Sequence, residues 1–358
     1  MFSRRLYAQL ATLCCLMCLA LICAGARGSG SESTQTPLPS QLSETGLYAS
    51  GSVTAVRAGN IPFSPQYPLW SDGATKRRWL YIPPGTFIDA SQPDAWEFPR
   101  GTKLWKEFSH GRRIETRFIE RVDDGSWRYA TYIWNTEGTQ ALLAPDAGIP
   151  ALYVGSAPGG RYSIPSEPDC RACHEGAAVP VLGVSTLQLS PDRDPLAPHA
   201  EPRRAGDVDL RVLRERELVR NLPAALSDVA PRIQAPSPVS RASLGYLHGN
   251  CGHCHNDNGS PAPVDLVLTQ RMDANETRYE RTMAALVGIQ SRYRAPGIGA
   301  RAPLIDAGHH ETSVLAARMR SRDPRMQMPP LGTQVIDREA LALIERWIQD
   351  QPRKELQR

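Results

Sequence analysis

The sequence lacks the features that mark membrane, fibrous or disordered proteins. Its single long apolar run, residues 10–23, is shorter than the roughly 20 residues that a membrane-spanning helix needs. Lysine is scarce and arginine supplies nearly all the positive charge, a bias that we attribute to genome composition. Hydrophobic residues make up 41% of the chain and charged residues 22%. These values exclude a disordered chain, a collagen-like repeat and a polytopic membrane protein.

The apolar run belongs to a predicted secretory signal peptide, residues 1–26. Arg4 and Arg5 precede it, and residues 24–26 read AGA, so we expect cleavage after Ala26. The alternatives are an uncleaved membrane anchor and a lipoprotein with Cys23 at its mature terminus. Ile22 does not suit a lipoprotein, because a small residue is expected before that cysteine. We therefore expect export to the periplasm, with no stable membrane span after cleavage.

Removal of this peptide changes the charge and cysteine counts. Without Arg4 and Arg5, 39 basic residues face 37 acidic residues, an excess too small to indicate a nucleic-acid-binding face. Four of the eight cysteines also leave with the peptide. The four that remain are Cys170, Cys173, Cys251 and Cys254.

The mature chain divides into a predicted linker and two regions that differ in composition and in the periodicity of their apolar residues. Residues 27–45 are rich in small polar residues and proline and predict a flexible linker. Residues 46–165 hold six of the seven tryptophans. Period-2 segments at 102–108, 114–121 and 126–134 are joined by glycine-containing connectors, the pattern of hairpins. This region predicts an antiparallel β-sandwich-like domain.

The rest of the chain predicts short helices with long proline-rich links. Residues 241–250 and 311–322 read as helices, and Asp337 is placed to cap a C-terminal helix with an apolar stripe. We divide this part into a segment at 166–240 and a domain at 241–352. The expected fold is thus multidomain α+β, a β-sandwich-like domain followed by a mostly α-helical domain.

The strongest functional signal in the sequence is one motif that occurs twice. Residues 170–174 read CRACH and residues 251–255 read CGHCH, and both are C-x-x-C-H, the attachment signature of c-type haem. Two thiols one helical turn apart can form thioethers to the vinyl groups of the macrocycle. The adjacent His174 or His255 then offers a nitrogen to the iron.

Other uses of these residues are less consistent with the sequence. A zinc site made from all four thiolates leaves both histidines without a role, and export disfavours a thioredoxin-like dithiol. Every mature cysteine lies in one of the two motifs. We therefore predict two covalently bound haem c groups, attached through Cys170 and Cys173 and through Cys251 and Cys254.

A second axial ligand is evident for only one iron. Met328 lies in a QMPPLG loop before the C-terminal helix, an order of helix, motif, methionine loop and helix that is typical of class I cytochrome c. We predict that Met328 ligates the second haem, with Met326 as the alternative. No methionine lies between His174 and Met272, so the first haem has no such loop.

Candidate distal ligands of the first haem are histidines, or the position is open. His248 precedes His255 by seven residues and shares its helix face, so it could reach a neighbouring haem or bond a propionate. His199 and His110 are further candidates. The adjacent His309 and His310 could indicate copper or zinc, although such pairs are more often surface residues.

The chain resembles an exported dihaem c-type cytochrome family with a β-rich N-terminal domain followed by a class I-like cytochrome c domain. The stretches that carry the resemblance span roughly residues 60–350 and are 68–76, 106–108, 115–118, 164–166, 246–250 and the Met328 loop. The resemblance implies two covalent haems and an electron-transfer role, without an established substrate.

Two functions follow. The first is a periplasmic electron carrier that exchanges electrons with redox partner proteins, whose identity the sequence does not give. The second is a haem enzyme of peroxidase type that uses an open position at the first haem. In dihaem peroxidases the first motif lies near the mature N-terminus and the motifs are farther apart, so we favour the carrier. A binding or assembly role for the β domain, with the haems as sensors, is a third possibility.

Overall fold

The computed structural model describes residues 37–258, 266–272, 278–299 and 301–352. The predicted signal peptide, residues 1–26, and residues 27–36 of the predicted linker lie outside this range. Among the described residues, no helix has the length and apolar character needed to cross a bilayer.

A six-stranded antiparallel sheet organises the molecule. Its strand order is β1-β2-β4-β5-β6-β7, so β4, β5 and β6 form a meander at its centre. Two more sheets have two strands each. The strands are β1 Ile61–Pro62, β2 Thr75–Tyr81, β3 Ile88–Asp89, β4 Lys103–His110, β5 Arg112–Arg121, β6 Trp127–Trp134, β7 Ala141–Leu143, β8 Ile149–Tyr153, β9 Arg161–Ile164 and β10 Val219–Arg220.

The central strands form where the sequence alternates and turn where it has glycine. Gly111 and Gly125 have φ of 70° and 88°, in the left-handed region that a residue without Cβ adopts at least cost. They reverse the chain between β4 and β5 and between β5 and β6. The three period-2 segments of the sequence therefore form strands close to their expected bounds.

The small sheets show that the predicted domain boundary at residue 165 is not a structural boundary. Strand β10, from the 166–240 segment, pairs in parallel with β3, with Val219 opposite Ile88. Val181 and Leu213 of the same segment pack into the apolar core on one face of the large sheet. This segment is thus built onto the β region.

Seven α-helices occur in the described residues, and they are between 5 and 13 residues long. They are α1 Glu167–His174, α2 Leu210–Glu215, α3 Ala224–Asp228, α4 Pro238–Asn250, α5 Arg278–Leu286, α6 Val314–Arg320 and α7 Arg338–Gln349. Asp337 caps α7 as expected, because its carboxylate accepts a hydrogen bond from the Ala340 N–H. A second apolar core joins α4 and α7.

The expected fold class is wrong. The dominant element is the six-stranded antiparallel sheet, and the C-terminal part is not a mostly α-helical cytochrome domain. No second large sheet faces the first within the described residues, so the β region is not a sandwich of two such sheets. Proline-rich links keep the helices short. Irregular backbone in the 166–240 segment packs on the sheet, whereas irregular backbone after α4 packs with the helices.

The chain from Pro39 onward forms one compact unit. The end of the predicted linker belongs to it, since Leu42 is buried and Thr45 accepts a hydrogen bond from the Trp105 indole. Residues 40–45 are therefore part of the folded structure and not of a tether.

Candidate functional site

Helix α1 presents the first motif. Ser166 caps it, accepting from the Asp169 N–H while the Asp169 carboxylate accepts from the Ser166 N–H, a reciprocal capping box. Cys170 and Cys173 lie one turn apart on this helix, and both are free thiols. His174 is the last residue of the helix, so the motif has the helical geometry that its spacing predicts.

A backbone carbonyl orients the histidine of the first motif. Nδ1 of His174 lies 2.6 Å from the carbonyl oxygen of Pro180. A carbonyl can only accept, so Nδ1 carries the proton and Nε2 has a free lone pair. Metal-ligating histidines are commonly held in this way, with the second ring nitrogen donating to a carbonyl.

The second motif follows directly on α4. The N–H groups of Cys254 and His255 donate to the Cys251 carbonyl at 3.1 and 2.8 Å, which closes a helical turn around the motif. A Cβ on Gly252 would lie 2.7 Å from the His248 carbonyl, so only glycine fits there. His255 is buried, and its Nδ1 has no hydrogen-bond partner among the described residues.

Burial keeps the motif side chains neutral. It lowers the pKa of His174 to about 4 and also lowers the pKa of His255. It raises the pKa of Cys170 to about 11 and that of Cys251 to about 12. At neutral pH the imidazoles are therefore unprotonated, the form that ligates iron, and the thiols keep their protons.

The two motifs lie against each other. The Asn256 side-chain amide donates to the Gly176 carbonyl at 2.7 Å and to the Gly252 carbonyl at 3.0 Å, which ties the chain after the first motif to the second. Burial raises the pKa of Cys254, and the nearby Cys173 raises it further. In the described part of the chain, no three His, Cys, Asp or Glu side chains converge as a metal-ion site.

A cleft of about 210 Å³ lies beside the second motif and the chain that follows the first. Its lining includes residues 177–179 and 181–185 after the first motif, with His248, Gly252 and His253. None of the motif cysteines and proximal histidines proposed to hold haem lines it, so the cleft adjoins the candidate site without containing their donor atoms.

Arg318 links the predicted axial methionine to the second motif. The Met328 N–H donates to the Arg318 carbonyl at 3.1 Å, and the charge of Arg318 adds to burial in lowering the pKa of His255. Met326 instead packs into a small apolar cluster with Val314. Its side chain is thus engaged in packing, which favours Met328 as the ligand.

Both histidines proposed as distal ligands of the first haem already have hydrogen-bonding partners in the structure. Nδ1 of His248 accepts the Gln270 N–H at 3.0 Å, so Nε2 carries the proton and acts as a donor. The ring nitrogens of His199 lie 2.8 Å from a carboxylate oxygen of Asp337 and 3.2 Å from one of Glu339. As placed, each would have to give up a hydrogen bond to bind iron.

The other candidate histidines are His110, His309 and His310. Nε2 of His110 is buried without a partner in the described structure, and its ring packs edge-on against Tyr162. His310 pairs with Glu311 at 3.0 Å. Neither His309 nor His310 belongs to a metal-ligand group in the described residues.

The structure gives a role to the Trp70–Asp72 stretch, which the sequence left unexplained. The Trp70 N–H donates to the Asn250 side chain at 2.7 Å, one residue before the second motif. The Asp72 carboxylate accepts from the Gln334 and Val335 N–H groups, just after the methionine loop. A loop of the β region therefore supports both parts of the second site.

A cationic face of the sheet is a further feature that sequence reasoning missed. Arg78, Lys106 and Arg117 lie side by side on β2, β4 and β5. The signal was available, because Lys106 occupies an inward position between Leu104 and Phe108 of an alternating strand. A positive charge at such a position calls for a nearby anion.

Comparisons with protein families, with curated proteins and with solved structures found no match to this chain. The candidate site is therefore defined by its own residues: two motifs in contact, one histidine oriented by a carbonyl, and a methionine loop beside the other.

Proposed function

We propose that the chain is an exported dihaem c-type cytochrome that carries electrons between redox partner proteins in the periplasm. The observation that carries this proposal is the first motif. Its two free thiols lie one turn apart, and the Pro180 carbonyl leaves Nε2 of His174 free. This is the donor set and orientation that a covalently attached, histidine-ligated haem requires.

The chain's residues have distinct roles in this proposal. Each pair of cysteines would hold a haem by thioether bonds, formed by addition of the thiol S–H across a vinyl group, so no oxidant would be needed. His174, through Nε2, and His255 would each offer an imidazole nitrogen to an iron, and Met328 would be the second ligand at the second site. When bound, haem supplies one-electron redox chemistry, whose potential is raised by methionine ligation.

The contact between the motifs supports transfer within the protein. The Asn256 side chain bridges carbonyls of Gly176 and Gly252, so each motif is anchored to the other by one residue. Two redox centres held in this way exchange electrons without a rearrangement of domains. This favours a carrier that receives and delivers electrons at different surfaces.

Intact-mass spectrometry of protein matured in a periplasm tests the proposal. We expect the mature mass to exceed that of the polypeptide by two haems, with all four thiols resistant to alkylation. Changing Cys170 and Cys173 to Ser should remove one haem, and changing Cys251 and Cys254 to Ser should remove the other. A mass without haem and four alkylated thiols would refute the proposal.

A haem enzyme of peroxidase type is the second candidate. It is favoured by the hydrogen bonds that already occupy His248 and His199, which leave no identified distal ligand at the first haem. Low-temperature EPR of the oxidised protein separates the candidates. A six-coordinate carrier gives two low-spin signals, whereas an open first haem gives a high-spin signal.

A further inference from the structure

A row of cations crosses the large sheet on the face that carries the first motif. Arg78 is the cross-strand partner of Lys106, and Lys106 is the partner of Arg117. Directly opposed residues project to the same face, so the three positive charges are neighbours. Lys76 lies two residues before Arg78 and joins them. Like charges directly opposite one another destabilise a sheet, so this arrangement needs compensation.

Carboxylates compensate only the two ends of the row. Glu201 lies 2.8 Å from Arg78, and Glu115 lies 2.6 Å from Arg117. The pair of Arg78 and Glu201 is largely withdrawn from water, whereas in the second pair Glu115 is fully buried and the Arg117 side chain is 31% exposed.

The two lysines have no such partner. The Lys76 ammonium donates to the Leu69 carbonyl at 2.7 Å, a neutral acceptor. The Lys106 ammonium lies over the Phe108 ring at 4.9 Å, and no carboxylate of the described residues is within salt-bridge distance of it. Four cations and two carboxylates leave two positive charges without a counter-ion.

The row begins beside the first motif. The His174 ring lies 5.3 Å from the ring of Tyr129, which projects from the same face of β6. Cys170 packs against the apolar core on this face of the sheet, and Arg117 lies on β5, the strand next to that of Tyr129. Lys106 lies on the next strand, β4, and Arg78 lies on the strand beyond it, β2. Strands are about 4.8 Å apart, so the row is about 10 Å long.

We propose that this row binds the propionates of the first haem, an inference that rests on the dihaem function proposed above. Thioethers hold a c-type haem by its vinyl edge, and the propionates leave the opposite edge. The row lies on the face of the sheet that carries the first motif, and its length of about 10 Å is roughly the width of a macrocycle. Its two uncompensated charges equal the charge of the propionate pair.

The electrostatics of Lys106 agree with a missing anion. Burial, followed by the charges of Arg78, Lys76 and Arg117, lowers its pKa well below the ordinary lysine value. A carboxylate within contact distance restores the charged ammonium. A propionate therefore relieves the repulsion that the bare row contains.

The test compares three variants of one strand. Lys106→Gln removes the central charge, and Lys106→Arg keeps it. Lys103→Gln is the matched control, because it makes the same charge change on the opposite face, where Lys103 pairs with Glu120 at 3.3 Å. Each protein carries haem with ¹³C-labelled propionates, and the readouts are the redox-difference infrared spectrum and the potentials of both haems.

We expect Lys106→Gln to shift the labelled carboxylate bands and to lower the potential of the first haem only. An uncompensated propionate charge stabilises the ferric state. Lys106→Arg and Lys103→Gln should behave as wild type, and mass spectrometry should find two haems in every variant. A wild-type protein without haem would refute the proposed function instead.

Three outcomes overturn the inference while leaving two haems in place. Unchanged labelled bands in Lys106→Gln would show that the row does not contact propionates. Conversion of the first haem from low to high spin in both Lys106 variants would make Lys106 its axial ligand. A change in the wild-type spectrum on adding nitrite or sulfate, lost in Lys106→Gln, would make the row a substrate anion site.

Discussion

The substitution Gly245→Ala tests how tightly the β region is packed against the helix of the second motif. Gly245 lies in α4, and a Cβ at this position would overlap three atoms of the Tyr67 ring. The ring has no room to retreat. The Tyr67 hydroxyl donates to the Asp194 carboxylate at 3.0 Å, and the Tyr67 backbone N–H donates to the Gln188 side chain at 3.0 Å. Only 2% of the residue is exposed.

The expected loss of stability follows from three contributions. Overpacking of a filled core costs about 1–3 kcal/mol. Displacement of Tyr67 breaks its hydrogen bond to a carboxylate, worth about 1.5–3 kcal/mol. Replacing glycine by alanine inside a helix stabilises the helix by about 1 kcal/mol, which offsets part of this loss. We therefore expect Gly245→Ala to lower the free energy of unfolding by about 1.5–5 kcal/mol.

Urea unfolding followed by far-ultraviolet circular dichroism measures this change, with an unchanged m-value indicating a comparable transition. The control is the same substitution in a Tyr67→Ala background. There the overlap is gone, so Gly245→Ala should raise the unfolding free energy by about 1 kcal/mol. A similar increase in the wild-type background would refute the packing that we describe.

Three further predictions address the second site. Met328→Ala should abolish the methionine-to-iron charge-transfer band at the red end of the oxidised spectrum and lower that haem's potential, whereas loss of the band in Met326→Ala alone would reverse the assignment. Asn250→Ala leaves the Trp70 N–H without its acceptor and should lower the unfolding free energy by about 2–3 kcal/mol in urea titrations, a value near zero contradicting the contact. Burial lowers the pKa of His248 to about 4, so the unfolded state binds its proton more readily. Wild type should lose up to about 3 kcal/mol of stability between pH 6.5 and 4 that His248→Gln does not lose, and parallel pH profiles would contradict this.

Local patterns in the sequence predicted the central strands and the last helix. In β4 to β6 the alternation of side chains and the glycine turns act over a few residues, so neighbouring sequence determines them. Asp337 similarly identifies the start of α7, because capping involves only the first turn. The spacing of Cys170, Cys173 and His174 predicted their geometry on α1 for the same reason.

Contacts between residues distant in the sequence were not predictable, and the predicted fold class was wrong because it depended on them. Strand β10 has two residues and no periodicity of its own, yet it joins the 166–240 segment to β3. Proline-rich sequence indicated linkers, whereas the irregular backbone is covered by side chains such as Val181 and Leu213. Tertiary packing stabilises this segment, and no local signal reports it.

The candidate ligands show the same division. Motif spacing identified the cysteines and proximal histidines, but the state of His248 depends on a hydrogen bond from Gln270, 22 residues later. The role of Lys106 depends on its neighbours across two other strands, Arg78 and Arg117. Sequence patterns show on which face of the sheet such a residue lies, but not which residues of other strands and segments contact that face.

The β region is best understood as part of the candidate redox site and not as a separate docking module. Its sheet faces the first motif through Tyr129 and the cationic row, and its Trp70–Asp72 loop bonds both Asn250 and the chain after the methionine loop. Asn256 ties the chain just after the first motif to the second motif. For the proposed electron carrier, the relative position of the two centres is therefore set by hydrogen bonds that converge from three parts of the chain. Loss of the sheet would remove the surroundings of the first centre and a support of the second, so neither motif is equipped to act as an independent cytochrome.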